Sequence, residues 1–169
     1  MYIFRRIADL DRQHAELVAG RYGVIEIEDG RLQHITLRPW PKIVSLWESL
    51  GWGEYLHRHR PGDRCRLFYN QPRGSDRFLA FKYFLATRGT SLRSFHTALD
   101  TLDEIARIKR SDAIVCEAAN LRLNERIMRR YGWEQHTSKP RNYIKRFYGS
   151  YPVKTLSSGI ISKEELVRA

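Results

Sequence analysis

The run Phe78-Leu79-Ala80-Phe81-Lys82-Tyr83-Phe84-Leu85-Ala86 is aromatic and apolar, and it gives way to the loop Thr87-Arg88-Gly89-Thr90-Ser91-Leu92-Arg93. The first segment, taken as Arg77 to Thr87, reads as a strand. Behind the loop, Leu92, Phe95, Leu99, Leu102, Ile105 and Ile108 fall at three- and four-residue spacing, so residues 91 to 110 read as a long amphipathic helix. Asp103 stands four positions before Arg107, a spacing that suits an ion pair on the outer face of that helix. Asp112 to Cys116 is a short apolar run suited to a second strand, and Leu121 to Tyr131 a second helix stopped by Gly132. Strand, helix, strand and helix in that order imply a right-handed crossover between two parallel strands. The crossover sets the N-terminus of the long helix beside the carboxyl end of the first strand, where free N–H groups and the helix dipole favour anions. The segment Arg88 to Arg93 lies at that junction, and no Asp or Glu occurs between Gly89 and Leu99.

Upstream, Arg64 to Tyr69 is a second aromatic-rich run, separated from Arg77 by the turn-forming Asn70-Gln71-Pro72-Arg73-Gly74-Ser75-Asp76. The two runs are expected to be adjacent antiparallel strands. Gly23 to Glu28 and Leu32 to Leu37 flank Asp29-Gly30, a dipeptide that accepts the positive backbone angles of a two-residue hairpin. Residues 9 to 19 carry helical spacing that ends at Gly20, and Ile43, Val44, Leu46, Trp47 and Leu50 form a short amphipathic pattern after Pro39-Trp40-Pro41. Downstream, Asn142 to Tyr148 reads as a strand, and Ser162 with Glu165 as a capping box. No repeat or linker divides the chain, so residues 1–151 are expected to form one domain and 152–169 a peripheral tail.

The chain has 169 residues, a hydrophobic share of 42% and an aromatic share of 12%, which is enough for an ordinary core and opposite to a disordered composition. No apolar run approaches the roughly 18 to 20 residues of a membrane span, and the start has no signal-peptide layout, so the expected compartment is the cytoplasm. Cys65 and Cys116 both fall in strand-like apolar stretches and read as buried thiols. Thirty Lys plus Arg stand against 19 Asp plus Glu, a net charge of +11 that concentrates anionic partners near the surface.

The order of elements and the motifs over residues 78–148 resemble the GNAT-type N-acetyltransferase superfamily. That family's pyrophosphate loop has the pattern Gln/Arg-x-x-Gly-x-Gly/Ala, which Arg88 matches while Ser91 and Arg93 occupy the two small-residue positions. The sequence Met128-Arg129-Arg130-Tyr131-Gly132-Trp133 resembles the family's Tyr-x-x-x-Gly-Phe, with Met128 in the tyrosine's place. The resemblance implies an α/β fold: a mixed, mostly antiparallel sheet opened between two parallel strands, with helices on both faces. It implies acetyl coenzyme A as co-substrate, held by Arg88, Gly89, Thr90, Ser91, Leu92 and Arg93, with Asn120 near the pantetheine arm. The activity it implies is acyl transfer to an amine, by direct attack of the neutral nitrogen on the thioester carbon.

Such chemistry needs a base for the ammonium proton and an acid for the departing thiolate. Glu117, directly after the Ala113 to Cys116 run, is the candidate base, and it also reads as a carboxylate paired with a neighbouring arginine. A thioether donates no proton, so Tyr131, three residues beyond Met128 on the same helix face, is the candidate acid; its other reading is a core aromatic. Backbone N–H groups near Phe84 to Ala86 would polarise the thioester oxygen, as the family's splayed strand implies. Trp40, Trp47, Trp52 and Tyr55 are the candidate lining of the acceptor side, and the charge favours an anionic or nucleic-acid-linked amine.

His57 and His59 form a His-x-His pair between Arg58 and Arg60 with no third ligand cluster, so no metal site is assigned. His96 and His136 show no partner in the sequence. Residues 105–148 hold 11 Lys plus Arg against 4 Asp plus Glu, which is +7 of the total +11. There Arg122, Arg126, Arg129 and Arg130, then Lys139, Arg141, Lys145 and Arg146, alternate with Tyr143, Phe147 and Tyr148. Basic residues among aromatics also suit a nucleic acid. Two alternatives therefore stand beside the acyltransferase: a catalytically degenerate relative that binds acyl coenzyme A or another anion, and a basic nucleic-acid-binding module.

Overall fold

A computed structural model of the chain describes residues 4–40, 62–117, 125–136 and 139–147. The strands are β1 (Arg5–Ile7), β2 (Tyr22–Glu28), β3 (Arg31–Arg38), β4 (Arg64–Asn70), β5 (Phe78–Ala86), β6 (Ala113–Glu117), β7 (Glu134–His136) and β8 (Lys139–Arg146). The helices are α1 (His14–Ala19), α2 (Leu92–Ile108) and α3 (Glu125–Arg130). All eight strands join one sheet in the order β1-β3-β2-β4-β5-β6-β8-β7. Every pairing is antiparallel except β5 with β6, which are parallel and joined by α2 as the crossover rule requires.

The β2–β3 hairpin turns at Asp29 (φ 51°) and Gly30 (φ 71°), the paired positive angles that the Asp-Gly dipeptide accepts. In β4, side chains alternate. Cys65, Leu67 and Tyr69 join the core, whereas Arg64 and Arg66 face outward and pair with Glu28 and Glu26 of β2. Helix α2 lies against β2, β3 and β4 and buries Phe95, Leu99, Leu102 and Ile105 into that core. Each such side chain contributes about 1.5–3 kcal/mol on burial, so the apolar stripe, more than helix propensity, holds α2 in place.

Several local expectations need correction. The first helix begins at His14, not at residue 9, because the Asp9 carboxylate accepts the N–H groups of Asp11 and Arg12 and folds that segment as a turn. Asp103 does not pair with Arg107 on an outer face. It is 9% exposed and bound by Lys145 of β8, while Arg107 pairs with Glu104. Burial raises the Asp103 carboxyl above its ordinary value, against the opposing pull of Lys145 and Arg107. The three-residue strands β1 and β7 are too short to leave a periodic signature. The helix expected after Pro41, His57 and His59, the first turn of the helix from Leu121, and the tail 152–169 with its capping box lie outside the described residues.

Candidate functional site

Where β5 and β6 run side by side, Phe78 to Phe81 align with Ala113 to Cys116, and the pairing stops there. Strand β5 continues through Ala86 against β4 alone, with a bulge that sets the extra residue Lys82 between Phe81, opposite Tyr69, and Tyr83, opposite Phe68. A bulge bends the strand that carries it and increases its twist. Lys82 therefore stands at the point where the two parallel strands part, and from Lys82 to Ala86 the edge of β5 towards β6 has no strand partner among the described residues.

Glu117 closes β6. Cys116 before it belongs to the core with Met128, Trp133 and Tyr143, so alternation turns the exposed Glu117 to the sheet face opposite α2. Tyr131 lies on the other side. Its ring packs edge-on against Phe95 (5.6 Å) and His96 (4.5 Å) in the first turns of α2, and Phe95 in turn meets Phe84 of β5 (5.0 Å). The two candidate catalytic residues thus flank the parted strands from opposite faces. His96 has partners after all, Tyr131 and the Asp100 carboxylate at 3.7 Å. Met128 is fully buried in the core.

The loop after β5 is tied to the segment before β4. The Thr87 N–H bonds to the Arg64 carbonyl (3.0 Å) and the Thr90 hydroxyl donates to the same carbonyl (2.7 Å). Gly89 runs so close to Gly62 that a Cβ would sit 3.0 Å from its carbonyl oxygen. Ser91 is the N-cap of α2, its hydroxyl accepting the Ser94 N–H at 3.1 Å. The expectation that nothing acidic lies near this helix start fails in space, because Asp63 accepts the Ser91 N–H (2.9 Å) on one oxygen and the Ser91 hydroxyl (2.6 Å) on the other. Burial raises the Asp63 carboxyl, but the hydrogen bonds from Ser91 and Ser94 and the charge of Arg93 outweigh it, and the group is held below its ordinary value. Arg88 is exposed and has no ion pair among the described residues, and Leu92 is 64% exposed. The Arg93 stem crosses Gly30 of the hairpin, where a Cβ would come within 2.7 Å of its Cδ.

The architecture is GNAT-like. It has the mostly antiparallel sheet, the one parallel pair that parts midway, and the crossover helix. No protein-family profile matches the chain, and no curated protein matches its sequence. Among solved structures, a crystal structure of nourseothricin acetyltransferase aligns over 86% of this chain and 99% of its own, at 12% identity and a TM-score of 0.38.

Of the expected acceptor lining, Trp40 is half-exposed and packs edge-on against Phe4 (6.3 Å). Trp47, Trp52 and Tyr55 lie outside the described residues, as does Asn120. The structure adds residues that sequence reasoning missed. A shallow recess is lined by Tyr22, Gly23, Arg38, Phe68, Asn70, Lys82 and Tyr83. Tyr83 pairs with Phe68 and Val24 with Phe68 in register, away from the α2 core, so the recess opens on the Glu117 face. Among the described residues neither Arg38 nor Lys82 has an ion pair, and the described lining holds no carboxylate. The thiols of Cys65 and Cys116 are free, as expected, and burial pushes both up to about 12, so neither is a ready nucleophile. In the basic strip, Lys145 and Arg146 are committed to Asp103 and Glu134, whereas Arg126, Arg130, Lys139 and Arg141 carry no ion pair among the described residues. No described helix is long and apolar enough to cross a membrane.

A thioester donor fits one end of this site and not the other. The open edge of β5 beyond Phe81 offers main-chain donors to a carbonyl oxygen. The expected pyrophosphate loop does not offer Ser91 to a phosphate, since Asp63 already holds both its donors.

Proposed function

We propose that this chain is an N-acyltransferase that moves an acyl group from a thioester, acetyl coenzyme A or a related donor, to an amine. The observation that carries the reading is the parting of β5 and β6 after Phe81 and Cys116, with Lys82 bulged at the fork. A gap through a sheet lets donor and acceptor enter from opposite faces and meet between the strands. The acceptor amine lies on the Glu117 face, near the aromatic recess with Arg38 and Lys82, which suits an acceptor carrying an anionic group. Glu117 takes the ammonium proton, and the neutral nitrogen bonds to the thioester carbon. The main-chain edge of β5 stabilises the oxyanion. As the C–S bond breaks on the α2 face, Tyr131 supplies a proton to the thiolate, and the proton that the nitrogen sheds on becoming an amide leaves through solvent, which restores the phenol.

The test is thiol release from acetyl coenzyme A over a panel of amines, paired with thermal unfolding in the presence of donor, ATP or heparin. A ligand that binds only the folded state at a hundred times its dissociation constant adds about 2.7 kcal/mol. A melting shift specific to the thioester, with amine-dependent thiol release, is the expected result. A shift that heparin reproduces, without thiol release, would overturn the reading and favour Arg126, Arg130, Lys139 and Arg141, exposed cations of the basic strip, as a polyanion surface.

A further inference from the structure

We infer that this chain selects its donor through the pantetheine thioester arm and not through the pyrophosphate, because Asp63 occupies the N-terminus of α2. The inference rests on the acyltransfer reading above and narrows its donor.

Both oxygens of Asp63 are used. One accepts the Ser91 N–H and the other the Ser91 hydroxyl, and that hydroxyl accepts the Ser94 N–H. The N–H groups of Ser91 and Ser94 at this helix start are therefore bonded within the chain, and a fixed carboxylate stands beside the rest. The carboxylate is anchored from behind as well: the Asp63 carbonyl accepts the Asp29 N–H of the β2–β3 turn at 2.8 Å. That turn is itself pinned to α2, since the Gly30 N–H donates to the Ser94 hydroxyl (2.8 Å) and the Thr97 hydroxyl donates to the Gly30 carbonyl (3.0 Å). Thr87 and Thr90 bond the loop to Arg64 from the other side.

Opening this joint for a diphosphate would break several hydrogen bonds at once and bring two negative charges towards a fixed third. Arg93, the cation best placed by sequence to offset them, is laid across Gly30, a turn residue whose φ of +71° and missing Cβ leave room for it. The strong hydrogen bonding keeps Asp63 ionised below the usual carboxylate range, so the obstructing charge persists at neutral pH. Among the described residues, the β5 edge beyond Phe81 at the fork has no strand partner. A thioester on a pantetheine arm reaches the open β5 edge without any contact at Arg88 to Arg93.

Calorimetric titration of the wild-type protein with acetyl coenzyme A and with S-acetylpantetheine tests this without any mutation. Affinities within about threefold of each other are expected, because the nucleotide half adds little. In Asp63→Asn, which keeps an acceptor oxygen for Ser91 and removes the charge, acetyl coenzyme A should tighten about tenfold while S-acetylpantetheine stays unchanged. Inorganic pyrophosphate should compete with acetyl coenzyme A in that variant and not in the wild type. A wild-type preference for acetyl coenzyme A of about a hundredfold would overturn the inference and leave acyl transfer standing. Binding of neither donor would overturn both. Should Asp63→Asn fail to fold, the wild-type comparison decides alone.

Discussion

Asp63 stabilises the fold only while it is charged, and the sign of its pH dependence follows from its environment. Its folded value lies below the ordinary 3.8, so its contribution is present above that pH and is lost as pH falls through the folded value. Melting temperature should drop below about pH 4, and Asp63→Asn should flatten that part of the profile. Glu117 is exposed at a strand end, so its proposed role as base can be tested apart from stability. Glu117→Gln should lower kcat about 100-fold with little change in melting temperature. Rates equal to the wild type would mean that the ammonium proton leaves to water or to another group. Glu117 was legible in the sequence as the residue after an apolar strand. Asp63 was not, since it reads as one more turn residue and its partner Ser91 lies 28 positions away.

At the level of elements, α2 is held at both ends by different means. Its start is joined to Asp63 and the hairpin. Beyond its last turn, Lys109 donates to the Val18 carbonyl (3.0 Å), the Gly20 carbonyl (2.7 Å) and the Gln71 amide oxygen (3.1 Å), which ties the end of α1 and the exit of β4 to α2. Lys109→Met should cost about 2 kcal/mol through those lost hydrogen bonds, measured by urea unfolding, and a variant of unchanged midpoint would show the clasp to be dispensable. Strand β5 allows a sharper test. On either side of Lys82, Phe81 and Phe84 face the core and Tyr83 faces away, so deletion of Lys82 alone keeps every other residue on its face. The deletion should fold and lose acyl transfer, because it straightens the strand at the fork. The hairpin, the α2 stripe and the β4–β5 pair were legible because turn chemistry and periodicity are local. The bulge was not, since a single Lys82 in the run Phe78 to Ala86 reads equally well as an outward-facing strand residue, and only the pairing with β4 shows it is left over. The burial of Asp103 was equally hidden, because its partner Lys145 arrives from β8 at the far end of the chain.

For the whole molecule, net charge and sheet layout act together. For the proposed acyl transfer, a charge of +11 should favour acidic amines over polyamines as acceptors, and equal turnover of spermidine and acidic amines would exclude that preference. The mixed sheet was legible from the alternation of strands and helices, whereas the length of its parallel contact was not. That contact is four residue pairs long and, among the described residues, is the whole of the strand pairing between the five strands β1-β3-β2-β4-β5 and the three strands β6-β8-β7. Cooperative units in native proteins tend to separate where few contacts cross. Amide hydrogen exchange should therefore show β6, β7 and β8 losing protection together, ahead of β2 and β4, as a leaf that swings on the hinge from Phe78 to Phe81.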